Sequence, residues 1–301
     1  MIEWYDVLLA LGGLVAGMMV GLTGMGGAVL VTPLLVLGFG VPAAAAVSSD
    51  VVASAVVKPV GSLVHIRRGT PHWGLALWLS VGSVPGVLLG TLVFSRAFSE
   101  ASSADTLKTI IGWVLIAALV AMVARTFLRR RSAAMDVPDE VLTGPHAPVK
   151  RVLTTLLGLV VGVLVGITSV GSGSLIVTSL LLMYPLLRPS VLVGTDLLQA
   201  VPMLVAGAIA HASLGVVDWR ITLALLVGQV PGVFFGARLS SRYDGLALRH
   251  LLMVVLAATA LKLLGVPTAI CGAIAVVGVA VLLARVVAER RQRGSVPSAS
   301  H

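Results

Sequence analysis

Apolar runs follow one another along almost the whole chain, most of them long enough to cross a bilayer. They fall at roughly 5–23, 28–39, 43–65, 73–94 and 106–124, and again at 151–168, 174–187, 190–212, 219–238, 247–265 and 268–287. The second run of each half is short, 28–39 spanning only about 18 Å as a helix. A membrane-spanning helix needs about 20 predominantly apolar residues. Only 11% of the 301 residues are charged and 58% are hydrophobic, against roughly 25% charged in a soluble domain. The fold class this predicts is all-α, a polytopic membrane protein. The first run has no basic stretch before it and carries Glu3 and Asp6, so it reads as a membrane segment and not as a secretory signal.

The polar residues are gathered between the runs. Residues 125–150 hold Arg125, Arg129, Arg130, Arg131, Pro138, Asp139, Glu140, Gly144, Pro145, Pro148 and Lys150, the composition of a basic linker. The chain thus divides into a first membrane repeat (1–124), the linker (125–150), a second repeat (151–265), an added helix (266–288) and a basic tail (289–301). The net charge of +9 follows the positive-inside rule and suits anionic lipid headgroups; nucleic acid is not an expected partner. Placing the linker and tail in the cytoplasm puts Arg67, Arg68, Arg188, Arg238, Arg242 and Arg249 inside and the N-terminus outside, with Arg220 a mild exception. The expected location is a bacterial inner membrane. The single cysteine, Cys271, excludes an internal disulfide and any thiol metal site; no metal or cofactor is expected.

The two halves repeat each other. Asp50 matches Asp196 at an offset of 196 − 50 = 146. The same offset pairs Gly27 with Gly173, Thr32 with Thr178, Gly61 with Gly207, His65 with His211 and Trp73 with Trp219. Val84-Pro85-Gly86-Val87 recurs as Val230-Pro231-Gly232-Val233, and Gly90 pairs with Gly236. Upstream the offset is one less, so that Gly21-Leu22-Thr23 matches Gly166-Ile167-Thr168. Each copy holds five apolar segments, an odd number, so the second copy enters the membrane from the opposite side. Inverted repeats of this kind recur in secondary transporters, with the substrate near the midplane between them.

Two kinds of residue could carry chemistry. The first lies at the breaks between the first and second segments of each half: Thr23, Gly24, Gly26 and Gly27, and Thr168, Ser169, Gly171, Ser172 and Gly173. A helix starting at such a break offers unpaired N–H groups and the positive end of its dipole, which together suit an anion. The same small residues also suit plain close packing of helices. The second kind is ionisable or polar groups inside apolar segments. Asp50 and Asp196 are candidates for proton or cation coupling, since a central aspartate costs about 2.5–3.5 kcal/mol on insertion scales, although each also suits a helix cap. Gln199 shares the face of Asp196 and is placed to orient it. His65 and His211 end their helices, where dipole compensation competes with a proton relay. Lys58 has no counterpart, Leu204 standing at its place; about 80° and ~12 Å separate it from Asp50 along one helix, which leaves a carbonyl, an anionic substrate or Asp196 of the other half as its partner, or snorkelling to a membrane interface.

These residues resemble the TauE/SafE family of sulfite exporters and related permeases. The resemblance covers about residues 8–264. It rests on the Gly-rich first hairpin, on Gly194-Thr195-Asp196-Leu197-Leu198, on the spacing from Asp to His to Gly to aromatic, and on Gly82-Ser83-Val84-Pro85-Gly86. Ser48-Ser49 and Val57-Lys58 stand where the related branch carries Gly-Thr and Thr-Lys. The resemblance implies transport of small sulfur-containing anions such as sulfite, sulfoacetate or other sulfonates, with sulfite export by alternating access the leading expectation and uptake of another organosulfur or carboxylate anion the next. The chain is not expected to be an enzyme. An aspartyl protease would need its two carboxylates close enough to share a proton, and the duplication accounts for the pair without that. A Ser172–His211 dyad lacks the surrounding motif, and a membrane scaffold would not need the intramembrane charges.

Overall fold

A computed structural model describes residues 4–23, 28–98, 103–133, 147–214, 216–240, 246–278 and 280. The described residues are mostly helical, with no strand among them. The first half comprises α1 (Trp4–Thr23), the short α2 (Ala28–Pro33), which runs on as a π-helical stretch Leu34–Gly38, then α3 (Ala43–Arg67), α4 (Trp73–Ala97) and α5 (Ala104–Ala133). The second comprises α6 (Arg151–Thr168), α7 (Ser174–Met183), α8 (Pro189–Ser213), α9 (Trp219–Ser240) and α10 (Leu246–Leu263). A short apolar helix, α11, covers Thr268–Gly278. Among the described residues seven helices are long and apolar enough to cross a bilayer. Hence the protein is an integral membrane protein. α5 continues to Ala133, and Arg125, which the composition assigns to a linker, is buried within it.

Local chemistry sets the helix ends. Pro42 (ψ 135°) stands outside the helical region, and the alanine run from Ala43 starts α3 behind it. His72 caps α4, its Nδ1 accepting from Leu75 N–H at 3.1 Å, and Asp218 does the same for α9 through Ile221 N–H at 3.1 Å. These are matched positions (218 − 72 = 146), so one capping solution is used twice with different side chains. Pro33 has no amide proton to give to the ladder, and the π-helical stretch begins directly after it.

Packing exchanges elements between the halves. α1 packs along α9, and α4 packs along α6; these are the two most extensive helix pairs, and the repeat converts one into the other. α3 crosses α8 at the centre, while α5 meets α10 and α7. The α1–α9 and α4–α6 seams are lined by glycines at every fourth residue. A Cβ placed at Gly82, Gly86 or Gly90 would lie 2.0, 2.4 or 2.3 Å from the backbone oxygens of Thr155, Leu159 and Val163. At Gly228, Gly232 and Gly236 the distances are 1.8, 2.4 and 2.3 Å, to the oxygens of Ala10, Leu14 and Met18. Gly158, Gly162 and Gly166 approach α4 in return. Small residues let helix backbones touch where lipid gives no hydrophobic drive for association. One buried cluster unites α1, α2, α5, α9 and α10, and another unites α4, α6, α7 and α8. The outward faces carry large apolar side chains; Leu77, Trp113, Val227 and the matched Trp73 and Trp219 are exposed, as a lipid-facing surface with interfacial tryptophans requires.

Candidate functional site

Where α3 crosses α8, the loop between α6 and α7 reaches into the protein. Its sequence explains its shape. α6 ends in Ser169, whose φ of 60° places a non-glycine residue in the left-handed region, the backbone used to stop a helix. Gly171 follows at φ 112°. Thr168 steadies the turn, donating to the Leu164 carbonyl at 2.7 Å and accepting from Val170 N–H at 3.2 Å. Ser169, Val170 and Ser172 are buried.

This loop is tied to α3 at two points of opposite charge. Ser169 Oγ donates to Asp50 Oδ2 at 2.9 Å. Lys58 Nζ donates to Ser172 Oγ. Thr32 Oγ1 gives Asp50 Oδ2 a second bond at 2.8 Å, and Ser54 Oγ reaches Oδ1 at 3.5 Å. Asp50 thus sits in a cradle of three hydroxyls, Thr32 and Ser54 from its own half and Ser169 from the other through the loop. Lys58 is buried mid-helix, and its charge acts on both Asp196 and Asp50. A cavity of ≈ 20 Å³ beside it is lined by Gly17, Val20, Ser54, Val57, Gln229 and Val233, room for about one water.

Asp196 is equally buried but differently held. Gln199 Nε2 lies 3.4 Å from its Oδ1, and Ser83 Oγ fixes that amide by donating to Gln199 Oε1 at 3.1 Å. Asp196 Oδ2 has no hydrogen-bond partner among the described residues. Lys58 and the buried Arg125 both act on it electrostatically.

A profile of the sulfite exporter TauE/SafE family matches residues 9–263. The chain belongs to the TauE/SafE family. Among its relatives, a probable membrane transporter of Bacillus subtilis (strain 168), YjnA, is 35% identical over 86% of this chain and 100% of its own length. A second from the same organism, YdhB, is 27% identical over 82% of this chain and 96% of its own. A probable membrane transporter protein of Xylella fastidiosa (strain 9a5c) is 28% identical over 82% and 88%. No solved structure matches the chain.

In this TauE/SafE protein the sequence candidates fall into three groups. Asp50, Lys58, Thr168, Ser169, Gly171, Ser172, Gly173, Asp196 and Gln199 converge on the α3–α8 crossing and the loop against it. Gly24, Gly26, Gly27 and the side chain of Thr23 lie outside the described residues. The histidines stand away from the charges. His211 is buried, with Nδ1 at 2.9 Å from Ser48 Oγ and Nε2 at 3.0 Å from the Gly166 carbonyl, and its ring packs on Phe94. It therefore joins Ser48, not Ser172. His65 is only half-buried and pairs with Thr70 Oγ1 at 2.9 Å. It lies beside Gly194, the counterpart of Ser48, where no hydroxyl exists to receive it.

Sequence reasoning missed several partners. Ser54 is one helical turn from Asp50, a spacing that puts both on one face, so its contact was readable. Ser49 and Thr195, at matched positions, tie the halves together: Ser49 Oγ accepts from Asp218 N–H at 3.2 Å, and Thr195 Oγ1 accepts from His72 N–H at 2.9 Å. Each hydroxyl before an aspartate thus holds the capping residue of the other half's long helix. Thr32, Ser83 and Arg125 carry no local signal, since their partners lie on other helices.

Proposed function

We propose that the protein is a secondary transporter of small sulfur-containing anions, with sulfite export by alternating access as its activity. The observation that carries this is Lys58: a buried ammonium in the middle of a spanning helix, held by a serine of a glycine-rich loop from the other half. An intramembrane cation marks a substrate or ion path by default. Serine is a neutral, exchangeable partner for it, and a small oxyanion offers the same kind of acceptor with charge added. Ser169, held in a left-handed conformation that costs on the order of 1 kcal/mol or more, keeps the loop on Asp50 while Ser172 yields.

Family membership supports an anion of this class, and the relatives' names support transport. The exchange of partners, α1–α9 with α4–α6, supports a two-fold relation between the halves, and the odd number of segments in each copy supports an inverted one. With the basic linker and tail in the cytoplasm, the N-terminus lies outside. Arg220, the exception to that orientation, is compensated by Asp6, whose two oxygens it meets at 2.7 and 3.0 Å.

The test is sulfite flux in proteoliposomes, with thiosulfate, sulfate and sulfoacetate as competitors. Saturable flux that falls about tenfold or more in Lys58→Met is expected, because a charge-assisted hydrogen bond contributes ~1.5–3 kcal/mol and ~1.4 kcal/mol is a factor of ten. Flux of sulfoacetate without sulfite would move the substrate to another organosulfur anion. Flux unchanged in Lys58→Met would remove this site from the pathway.

A further inference from the structure

The two buried aspartates are equivalent by descent of the repeat, but their surroundings have diverged in one direction. Every hydroxyl that holds Asp50 is missing at Asp196. Thr32 has the counterpart Thr178, which is turned away and donates to the Ala121 carbonyl at 3.0 Å. Ser54 has the counterpart Ala200. Ser169 has the counterpart Gly24 at the upstream offset of 145. In exchange Asp196 has gained Gln199, where the first half has Ala53, and that amide reaches Oδ1 only at 3.4 Å. Asp196 Oδ2, fully buried, is left without a hydrogen bond among the described residues. Leaving a buried charged acceptor unmade is costly, and a carboxylate with a free buried oxygen is relieved when that oxygen takes a proton.

We propose that Asp196, through Oδ2, is the proton-binding carboxylate of this transporter, and that Asp50, whose two oxygens are both met by hydroxyls, is the group that anchors the loop. This rests on the transporter reading above. A proton from water on the open side adds to Oδ2, forming an O–H bond, and leaves from the same oxygen when the site opens to the other side. The charges around Asp196 make this a coupling step. From α3 it faces Lys58, with Asp50 beyond and His65 at the far end near Gly194; from α5, Arg125; at the start of α4, His72 lies against the neighbouring Thr195; α7 brings no ionisable side chain. While Asp196 is ionised it shares the charge of Lys58 and Arg125. Once it is neutral, it no longer competes for the charge of Lys58, and an anion at Ser172 takes its place. Proton and anion therefore favour each other's binding, and by linkage the effect is reciprocal. They cross together, in the direction set by their summed gradients.

The proton site is read directly by infrared difference spectroscopy of the purified protein between mildly alkaline and mildly acidic buffer. A carboxylic-acid C=O band that appears on acidification, shifts in Asp196→Glu and persists in Asp50→Asn is expected. Absence of such a band, or its loss in Asp50→Asn with no change in Asp196→Glu, would overturn the proposal. The coupling is read by sulfite affinity at the two pH values. Wild type should bind about fivefold or more tightly in acid, beyond whatever dependence sulfite's own ionisation leaves in Asp196→Asn. Equal dependence in the two proteins would refute the coupling. An Asp196 band in a protein that binds no sulfite at either pH would instead remove the substrate while keeping the proton site.

Discussion

Replacing Gly228 by alanine tests the seam between the halves. The new Cβ would lie 1.8 Å from the Ala10 carbonyl oxygen and 2.6 Å from Leu14 N. Both are backbone atoms, so no side chain can swing aside. Ordinary contact begins at 3.4 Å, and 3.4 − 1.8 leaves about 1.6 Å for α9 to withdraw from α1. A gap of even 0.5–1 Å forfeits a quarter to a half of each dispersion well, and the loss runs along the whole seam, through Gly13, Gly17, Gly232 and Gly236. Overpacking costs about 1–3 kcal/mol, and this site stands at the upper end. The better helix propensity of alanine returns about 1 kcal/mol. A net loss of about 2 kcal/mol is expected, which lowers the midpoint of thermal unfolding by roughly 5 °C. The assay is the monodisperse fraction by size exclusion after heating in detergent. Gly61→Ala is the matched control: its Cβ would meet Leu197 methyls at 3.7 Å, an ordinary contact, and should leave the midpoint unchanged or raise it. Equal midpoints for Gly228→Ala and Gly61→Ala would refute the close-contact reasoning.

The remaining predictions concern single contacts. Thr195→Val leaves the His72 N–H buried and unmet and should cost about 1–3 kcal/mol, measured by the same heating assay, with Thr195→Ser restoring most of it. Ser169→Ala removes one of the three hydroxyls on Asp50 and releases the loop; sulfite flux should fall several-fold, more than in Thr168→Ser, which keeps the local turn. The Asp6–Arg220 pair is bidentate but Arg220 is half-exposed, so a double-mutant cycle should give a coupling below about 1 kcal/mol that shrinks with salt. A coupling well above that, insensitive to salt, would mean that the pair is shielded from solvent.

Much of the protein was legible in the chain. Apolar length placed most helices to within a few residues, the polar end of α5 being the exception, because in lipid every backbone polar group must be met inside its own segment, and length and hydropathy are local properties. The 146-residue offset exposed the duplication and singled out Asp50, Asp196 and the lone Lys58. Gln199 followed from helical spacing, and so in principle did Ser54. What the chain does not display is which helices meet. The glycines at every fourth residue announce a close crossing but not its partner, and only the packed structure pairs α1 with α9 and α4 with α6 across the halves. The same limit hides Thr32 and Ser169 on Asp50, Ser172 on Lys58, and Arg125 near Asp196, whose basic neighbours drew it into an apparent linker. Sequence determined the charges that enter the membrane, since burying them has to be answered somewhere in the fold. Tertiary structure alone decided how each was answered, because hydrogen bonds act over about 3 Å and the residues that supply them stand up to 119 positions apart along the chain.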